Sequence, residues 1–229
     1  IDDRGAVWVG HFQAGLDYSL YQNGLFRTYD YPPLFNSANL SIRSFVNKGQ
    51  EKVIGSRDGL FYINEATGVV KSFVKPVLTS DLILTICFYQ GEYYIGTYGG
   101  GMMVLNPETL SLKYFAQGDT ELFQKGHIFC VKPDAKGNLW IGTSQGLFSY
   151  NGQTKQIKSF TSANSQLPEG NVYEVSFDST GKGWIATETG MCIYDPASQS
   201  LRSNVFPEGF VNKDKVRTIY EDAEHNLYF

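Results

Sequence analysis

The 229-residue chain contains no run of about 18 apolar residues, so no stretch of it is long enough to cross a bilayer as a helix. Cysteine is scarce and odd in number: Cys87, Cys130 and Cys192 have no metal-ligand spacing, which supports neither a disulfide framework nor a zinc site. Each sits in an apolar strand pattern, Ile86-Cys-Phe, Phe129-Cys-Val and Met191-Cys-Ile, and is expected to act as a buried small hydrophobe. The three histidines, His11, His127 and His225, belong to no short ligand motif, so a zinc or calcium site has no support either. Nineteen basic against 23 acidic side chains give a net charge of -4 without a basic cluster, which argues against nucleic acid as a partner. The opening Ile1-Asp-Asp-Arg-Gly lacks the charged start and apolar centre of a signal peptide. A long amphipathic helix is missing too, whereas 24 Gly, 15 Tyr and 16 Phe favour strands and tight turns.

What is present is a repeat. The run Asp134-Ala-Lys-Gly-Asn-Leu-Trp-Ile-Gly-Thr-Ser-Gln-Gly-Leu-Phe-Ser-Tyr150 reads as a hairpin followed by a third strand. Its central tetrad recurs at 8–11, 53–56, 94–97, 140–143 and 184–187, with the third residue at 10, 55, 96, 142 and 186. The steps are 45, 41, 46 and 44 residues. A sixth copy is cut short at Tyr228-Phe229. Asp2, Asp134, Asp178 and Asp222 each precede the tetrad by six residues, and Gly15, Gly59, Gly101, Gly146 and Gly190 follow it, each before Leu or Met.

Each period holds about four strand-like runs, which is the size of one propeller blade, and turn residues arrive too often for a helical solenoid. The expected fold is all-β: a β-propeller of four-stranded blades, about five repeats of ~44 residues over 1–229. Because the chain starts and stops at the same phase of the repeat, it reads as a cut from a longer chain. If the first strand of each period lines the central channel, the Asp-Gly hairpins share one face. The connections from second to third strand and from fourth strand to the next blade share the other. The latter are long and varied: Thr28 to Asn39, Val74 to Ser80, Ala116 to His127, Thr161 to Asn171 and Asn204 to Lys213. A uniform rim opposite a variable one is the expected form of a scaffold with a binding face.

The Asp-x-x-Gly-Asn-Leu-Trp-Ile-Gly-Thr-x-x-Gly-Leu-x-x-Tyr run at 134–150 resembles the two-component-regulator propeller repeat, and the resemblance extends along the whole chain. That repeat builds the extracytoplasmic sensor region of hybrid sensor histidine kinase/response regulators in polysaccharide-degrading gut bacteria. The resemblance implies two seven-bladed propellers followed by a β-sandwich, a membrane span and a kinase in the parent. It also implies oligosaccharide ligands and a homodimeric parent. For this segment it implies a periplasmic, non-catalytic sensing module that itself makes no membrane contact and needs no cofactor.

Trp8, Trp140 and Trp184 share a second-strand position and are expected to fill the space between blades, while the repeated aspartates are expected to form turns. A glycan lyase or hydrolase is the alternative, but it needs two carboxylates facing each other across a bond, and a sialidase-type Asp box would place its aspartate one residue closer to the glycine than Asp134 lies to Gly137. A protein-interaction scaffold is the third reading.

Ligand contacts are expected where copies disagree on the variable rim. From the loops between second and third strands these are His11, Gln13, Arg57, Asp58, Tyr98, Gln145 and Glu188; from the starts of the first strands, Asn39, Asp81, His127, Asn171 and Lys213. Planar polar groups can bond sugar hydroxyls and aromatic rings can cover C–H faces, and Arg57 is placed to take a sulfate or uronate in two-point contact. His225 is assigned to the opposite, hairpin face. Tyr29, Tyr31, Phe35 and Phe123 lie in the longest of these loops and are expected either to offer a contact surface for a neighbouring propeller or protomer or simply to fill the loops.

Overall fold

The computed structural model describes residues 6–11, 15–20, 26–28, 41–115, 120–203 and 215–229, the first three segments through their backbone alone. Gln13, Tyr29, Tyr31, Phe35, Asn39 and Lys213 lie outside the described residues, as do the side chains of Trp8 and His11.

The described chain is a series of antiparallel sheets in which strands pair in sequence order. The first sheet joins β1 (Ala6–His11), β2 (Gly15–Leu20) and β3 (Phe26–Thr28). The second joins β4 (Ile42–Lys48), β5 (Glu51–Ser56), β6 (Leu60–Asn64) and β7 (Val69–Phe73). The third has β8 (Ile83–Tyr89), β9 (Glu92–Thr97), β10 (Met102–Asn106) and β11 (Ser111–Tyr114). A short helix, α1 (Thr120–Lys125), precedes the fourth sheet of β12 (Ile128–Pro133), β13 (Asn138–Thr143), β14 (Gly146–Asn151) and β15 (Ile157–Phe160). The fifth contains β16 (Val172–Phe177), β17 (Gly183–Thr187), β18 (Gly190–Asp195) and β19 (Ser200–Ser203), and β20 (Tyr220–Glu221) pairs with β21 (Leu227–Tyr228). Ile1–Ile86 and Cys87–Phe229 form two compact units, the division falling inside β8.

The repeated residues each have a local task. Asp134 accepts hydrogen bonds from the N–H groups of Lys136 (2.9 Å) and Asn138 (2.8 Å), from Asn138 Nδ2 (2.8 Å) and from the Trp140 indole N–H (2.9 Å). The spacing of six is therefore that of a bond between the turn carboxylate and the second-strand tryptophan. Asp178 repeats it with Thr180, Lys182 and Trp184, the last at 2.8 Å. At the sixth copy the Tyr228 hydroxyl reaches Asp222 at 3.0 Å in place of an indole. Gly137 and Gly181 take the left-handed turn position at φ +79° and +82°, and His225 takes it at +65°, within the hairpin turn as the sequence indicates.

The tetrad's fourth residue is a buried hydroxyl that donates to the carbonyl of the following glycine: Ser56 to Gly59 (3.1 Å), Thr97 to Gly101 (2.9 Å), Thr143 to Gly146 (2.8 Å) and Thr187 to Gly190 (2.7 Å). Its third residue is small because the next sheet packs there. A Cβ on Gly142 would stand 2.5 Å from Cys130 Sγ and 2.8 Å from the Val172 carbonyl.

Within the second unit apolar layers fill the spaces between sheets. Tyr94, Met102, Phe115, Ile128, Leu139, Ile141 and Tyr150 form one cluster; Trp140, Leu147, Phe160, Val172, Val175 and Ile185 form the next. Trp140, 1% exposed, meets Tyr194, Phe160 and Phe177 at ring-centroid distances of 4.5, 5.6 and 5.8 Å. Large aromatic burial of this kind dominates the energetics of such interfaces. Asp134 and Trp140 are therefore structural, as their repetition indicates.

Phe123 corrects an expectation. It is wholly buried on α1 among Phe115, Phe148 and Leu122, so it offers no outer contact surface. The helix is stabilised by Glu121 in its first turn and Lys125 in its last, matching the helix dipole. All three cysteines are free and buried, as their strand setting implies.

Candidate functional site

Three first strands carry the same irregularity. Between Ile42 and Ser44, between Ile128 and Cys130, and between Val172 and Glu174, one extra residue interrupts the ladder. Arg43, Phe129 and Tyr173 are these extra residues. A β-bulge of this kind re-aims a side chain and is often found beside functional sites. The flanking apolar positions stay constant as Ile128 and Val172, both fully buried, while the extra residue changes from copy to copy.

The residue just before the strand is fixed by the neighbouring loop. The Arg57 N–H bonds the Ser41 carbonyl (2.9 Å), Ser144 N–H bonds the His127 carbonyl (3.2 Å) and Glu188 N–H bonds the Asn171 carbonyl (2.9 Å). Val216 N–H makes a different bond, donating to the carbonyl of Thr187 at the end of β17 in the preceding sheet (3.1 Å). By this register Ser41 holds the position that the sequence reading gave to Asn39, and Lys215, which precedes Val216 as His127 precedes Ile128 and Asn171 precedes Val172, holds the one given to Lys213.

In the second unit these positions meet. Tyr98, half exposed, stacks on His127 with ring centroids 4.0 Å apart and 28° between planes. His127 lies 6.2 Å from Phe129, and Phe129 meets Tyr173 edge-on at 5.2 Å. Over the Tyr173 ring stand Lys215 Nζ at 5.3 Å and the Arg217 guanidinium at 4.7 Å from its centroid. The Tyr173 hydroxyl accepts from Asn171 Nδ2 (3.1 Å) and donates to Glu188 Oε1 (3.3 Å), which also pairs with Lys215 at 3.1 Å. Hydrogen bonds from Lys215 and from the Asn171 N–H hold the Glu188 carboxyl below its ordinary range. Tyr173 and Glu188 in turn hold the Lys215 ammonium above its own. His127 Nδ1 is buried and has no hydrogen-bond partner among the described residues.

The arrangement is a row of four rings ending in two cations, with a fixed amide, phenol and carboxylate alongside. Rings present flat apolar faces and the polar groups present directional donors and acceptors, which together can hold a polyhydroxylated molecule. Of the expected residues, Tyr98, His127, Asn171 and Glu188 come together here. Gln145 is exposed in the turn that bonds the His127 carbonyl through Ser144. Arg57 and Asp58 are exposed in the first unit, and Asp81 accepts from the Lys75 N–H at 2.7 Å within its own connection.

Phe129, Tyr173, Lys215 and Arg217 are additional. For Phe129, Tyr173 and Arg217 the signal was in the sequence as a column: Arg43, Leu84, Phe129, Tyr173 and Arg217 each follow an Ile or Val that hardly varies. Attention to loops alone passes over it.

A cleft of about 490 Å3 lies elsewhere in the second unit, between the outer parts of the fourth and fifth sheets. Its polar groups are largely engaged with each other or with backbone: Asn138 with Asp134 and Asn151, Lys136 with the Pro196 carbonyl and Lys158 with the Gln199 carbonyl. Its walls are repeat residues such as Trp140, so the bulge cluster is the better candidate. Among the described residues no group of three or more His, Cys, Asp or Glu side chains is placed to hold a metal.

The family model described as two component regulator propeller matches residues 123–145. No curated protein matches the chain by sequence. Among solved structures, the extracellular domain of a protein described as hybrid two component system BT3049 from B. thetaiotaomicron is 25% identical with a TM-score of 0.74. The match covers 98% of this chain and 30% of that one. The extracellular domain of BT4673 from the same organism is 19% identical, with 99% and 30% coverage and a TM-score of 0.78. PorZ, a surface component of the type-IX secretion system of Porphyromonas gingivalis, is 14% identical, with 97% and 35% coverage and a TM-score of 0.69. The chain thus spans about 30% of the length of the two sensor structures. The resemblance read from the Asp134–Tyr150 repeat is borne out, and the fold is a β-propeller of four-stranded blades.

Proposed function

We propose that the chain is the extracytoplasmic, ligand-sensing part of a hybrid two-component system, without catalytic activity of its own, and that it binds a glycan-derived oligosaccharide. The observation that carries this reading is the ring row of Tyr98, His127, Phe129 and Tyr173, flanked by Asn171 and Glu188, at positions where repeat copies differ. Similarity to the extracellular domain of BT3049 supports the sensing role and an extracytoplasmic setting, which we read as periplasmic. On this reading an adjacent propeller, a β-sandwich, a membrane span and a histidine kinase belong to the parent protein, which signals as a homodimer. Binding energy is transmitted only if the ligand favours one arrangement of the sensor over another, so contacts from more than one element suit the role. Tyr98, His127, Tyr173 and Lys215 come from four different segments.

The direct test is titration calorimetry of the chain, alone and within the whole extracytoplasmic region, against a panel of plant and host oligosaccharides. Binding that is lost in Tyr173→Ala and Tyr98→Ala supports the reading. Absence of binding across the panel overturns it.

A further inference from the structure

Lys215 and Arg217 stand over the same Tyr173 ring but differ in what else they touch. Lys215 is committed to Glu188 at 3.1 Å, and that carboxylate also accepts from Tyr173 and the Asn171 N–H, so its charge is already compensated. Arg217 is exposed and has no carboxylate partner among the described residues. A guanidinium held over a ring keeps several N–H donors, and its fork can take a planar anion in two-point contact. Contact with the ring also restrains a long side chain, so less rotamer freedom is lost when a ligand arrives.

We propose that the site takes an anionic sugar, one bearing a carboxylate or a sulfate, with Arg217 as the anion's anchor and the ring row covering the sugar's apolar faces. The inference rests on the glycan reading above and narrows it to acidic saccharides. It moves the anion-binding role that the sequence reading gave to Arg57 onto a residue whose neighbours are defined. Lys215 keeps Glu188 from repelling the incoming charge, and because the pair is exposed this screening weakens as salt rises.

The test uses an array of oligosaccharides in matched forms, uronates beside their methyl esters and sulfated sugars beside their desulfated parents, titrated against the wild-type chain, Arg217→Met and Arg217→Lys. Met keeps the apolar stem over Tyr173 without the charge. The proposal predicts that an acidic member binds roughly 10- to 100-fold more tightly than its neutral partner. It further predicts that Arg217→Met erases the difference with an unchanged melting temperature, and that Arg217→Lys retains part of it. The carboxylate and sulfate arms then identify which anion is used. Equal binding of acidic and neutral forms, or discrimination that survives Arg217→Met, overturns the anion assignment while leaving glycan binding intact. No binding to any member overturns both.

Discussion

Replacing Asp134 by Ala tests what the recurrent six-residue spacing is for. The substitution removes the acceptor of four hydrogen bonds, from Lys136 N–H, Asn138 N–H, Asn138 Nδ2 and the Trp140 indole. The first three lie in an exposed or half-exposed turn where water can replace the carboxylate, so each is worth about 0.5 kcal/mol. The indole differs, because Trp140 is 1% exposed and its N–H is left without a partner. A buried donor stranded in this way costs about 1–3 kcal/mol. The sum is roughly 3 kcal/mol, which in a chain of this size lowers the melting temperature by about 6–12 °C. Circular dichroism melts of wild type, Asp134→Ala, Trp140→Phe and the double variant give the coupling directly, expected at about 1–2 kcal/mol because each single change breaks the same bond. Asp134→Asn gives no full rescue, since its amide presents donors where Asn138 Nδ2 and the indole already donate. A melting temperature for Asp134→Ala within 1 °C (about a third of a kcal/mol) of wild type, or a coupling of zero, would refute the assignment.

Gly142→Ala places a methyl 2.5 Å from Cys130 Sγ and 2.8 Å from the Val172 carbonyl, and overpacking against backbone costs about 1–3 kcal/mol, read as a lowered melting temperature. Burial pushes the Asp178 carboxyl up, but bonds from Thr180, Trp184 and Lys182 outweigh it and hold the group below its usual value. Its stabilising contribution is therefore complete above the unfolded value of about 4 and is lost as pH falls through the folded one, so Asp178→Asn flattens the acid limb of a stability profile below about pH 4. Burial raises the thiols of Cys87 to about 11 and of Cys130 and Cys192 to about 12. All three should resist a thiol reagent at pH 8 (about three units below the lowest of these) in the folded chain and react on unfolding.

The blade was legible in the sequence because each of its defining residues performs a local task that must be repeated. Asp134 needs its tryptophan six residues on, Thr143 needs the Gly146 carbonyl, and Gly142 must leave room for the next strand. The site was legible by half. Tyr98, His127, Asn171 and Glu188 stand out as deviations in loops, and the structure brings them together. Phe129 and Tyr173 were hidden because an aromatic residue in a strand looks like core until the bulge that turns it out of the ladder is seen. Phe123 failed in the opposite direction: a loop aromatic turned out to be the buried face of a six-residue helix. Such a helix is too short for its periodicity to show.

The central claim is that residues shared by the copies build the fold and residues that differ bind the ligand. Calorimetry with an oligosaccharide that binds the wild-type chain tests it most directly when Tyr173→Ala and Asp134→Ala are compared below both melting temperatures. The account predicts that Tyr173→Ala abolishes binding at nearly unchanged stability, and that Asp134→Ala binds like wild type despite its lowered stability. Binding lost in Asp134→Ala and kept in Tyr173→Ala would contradict it.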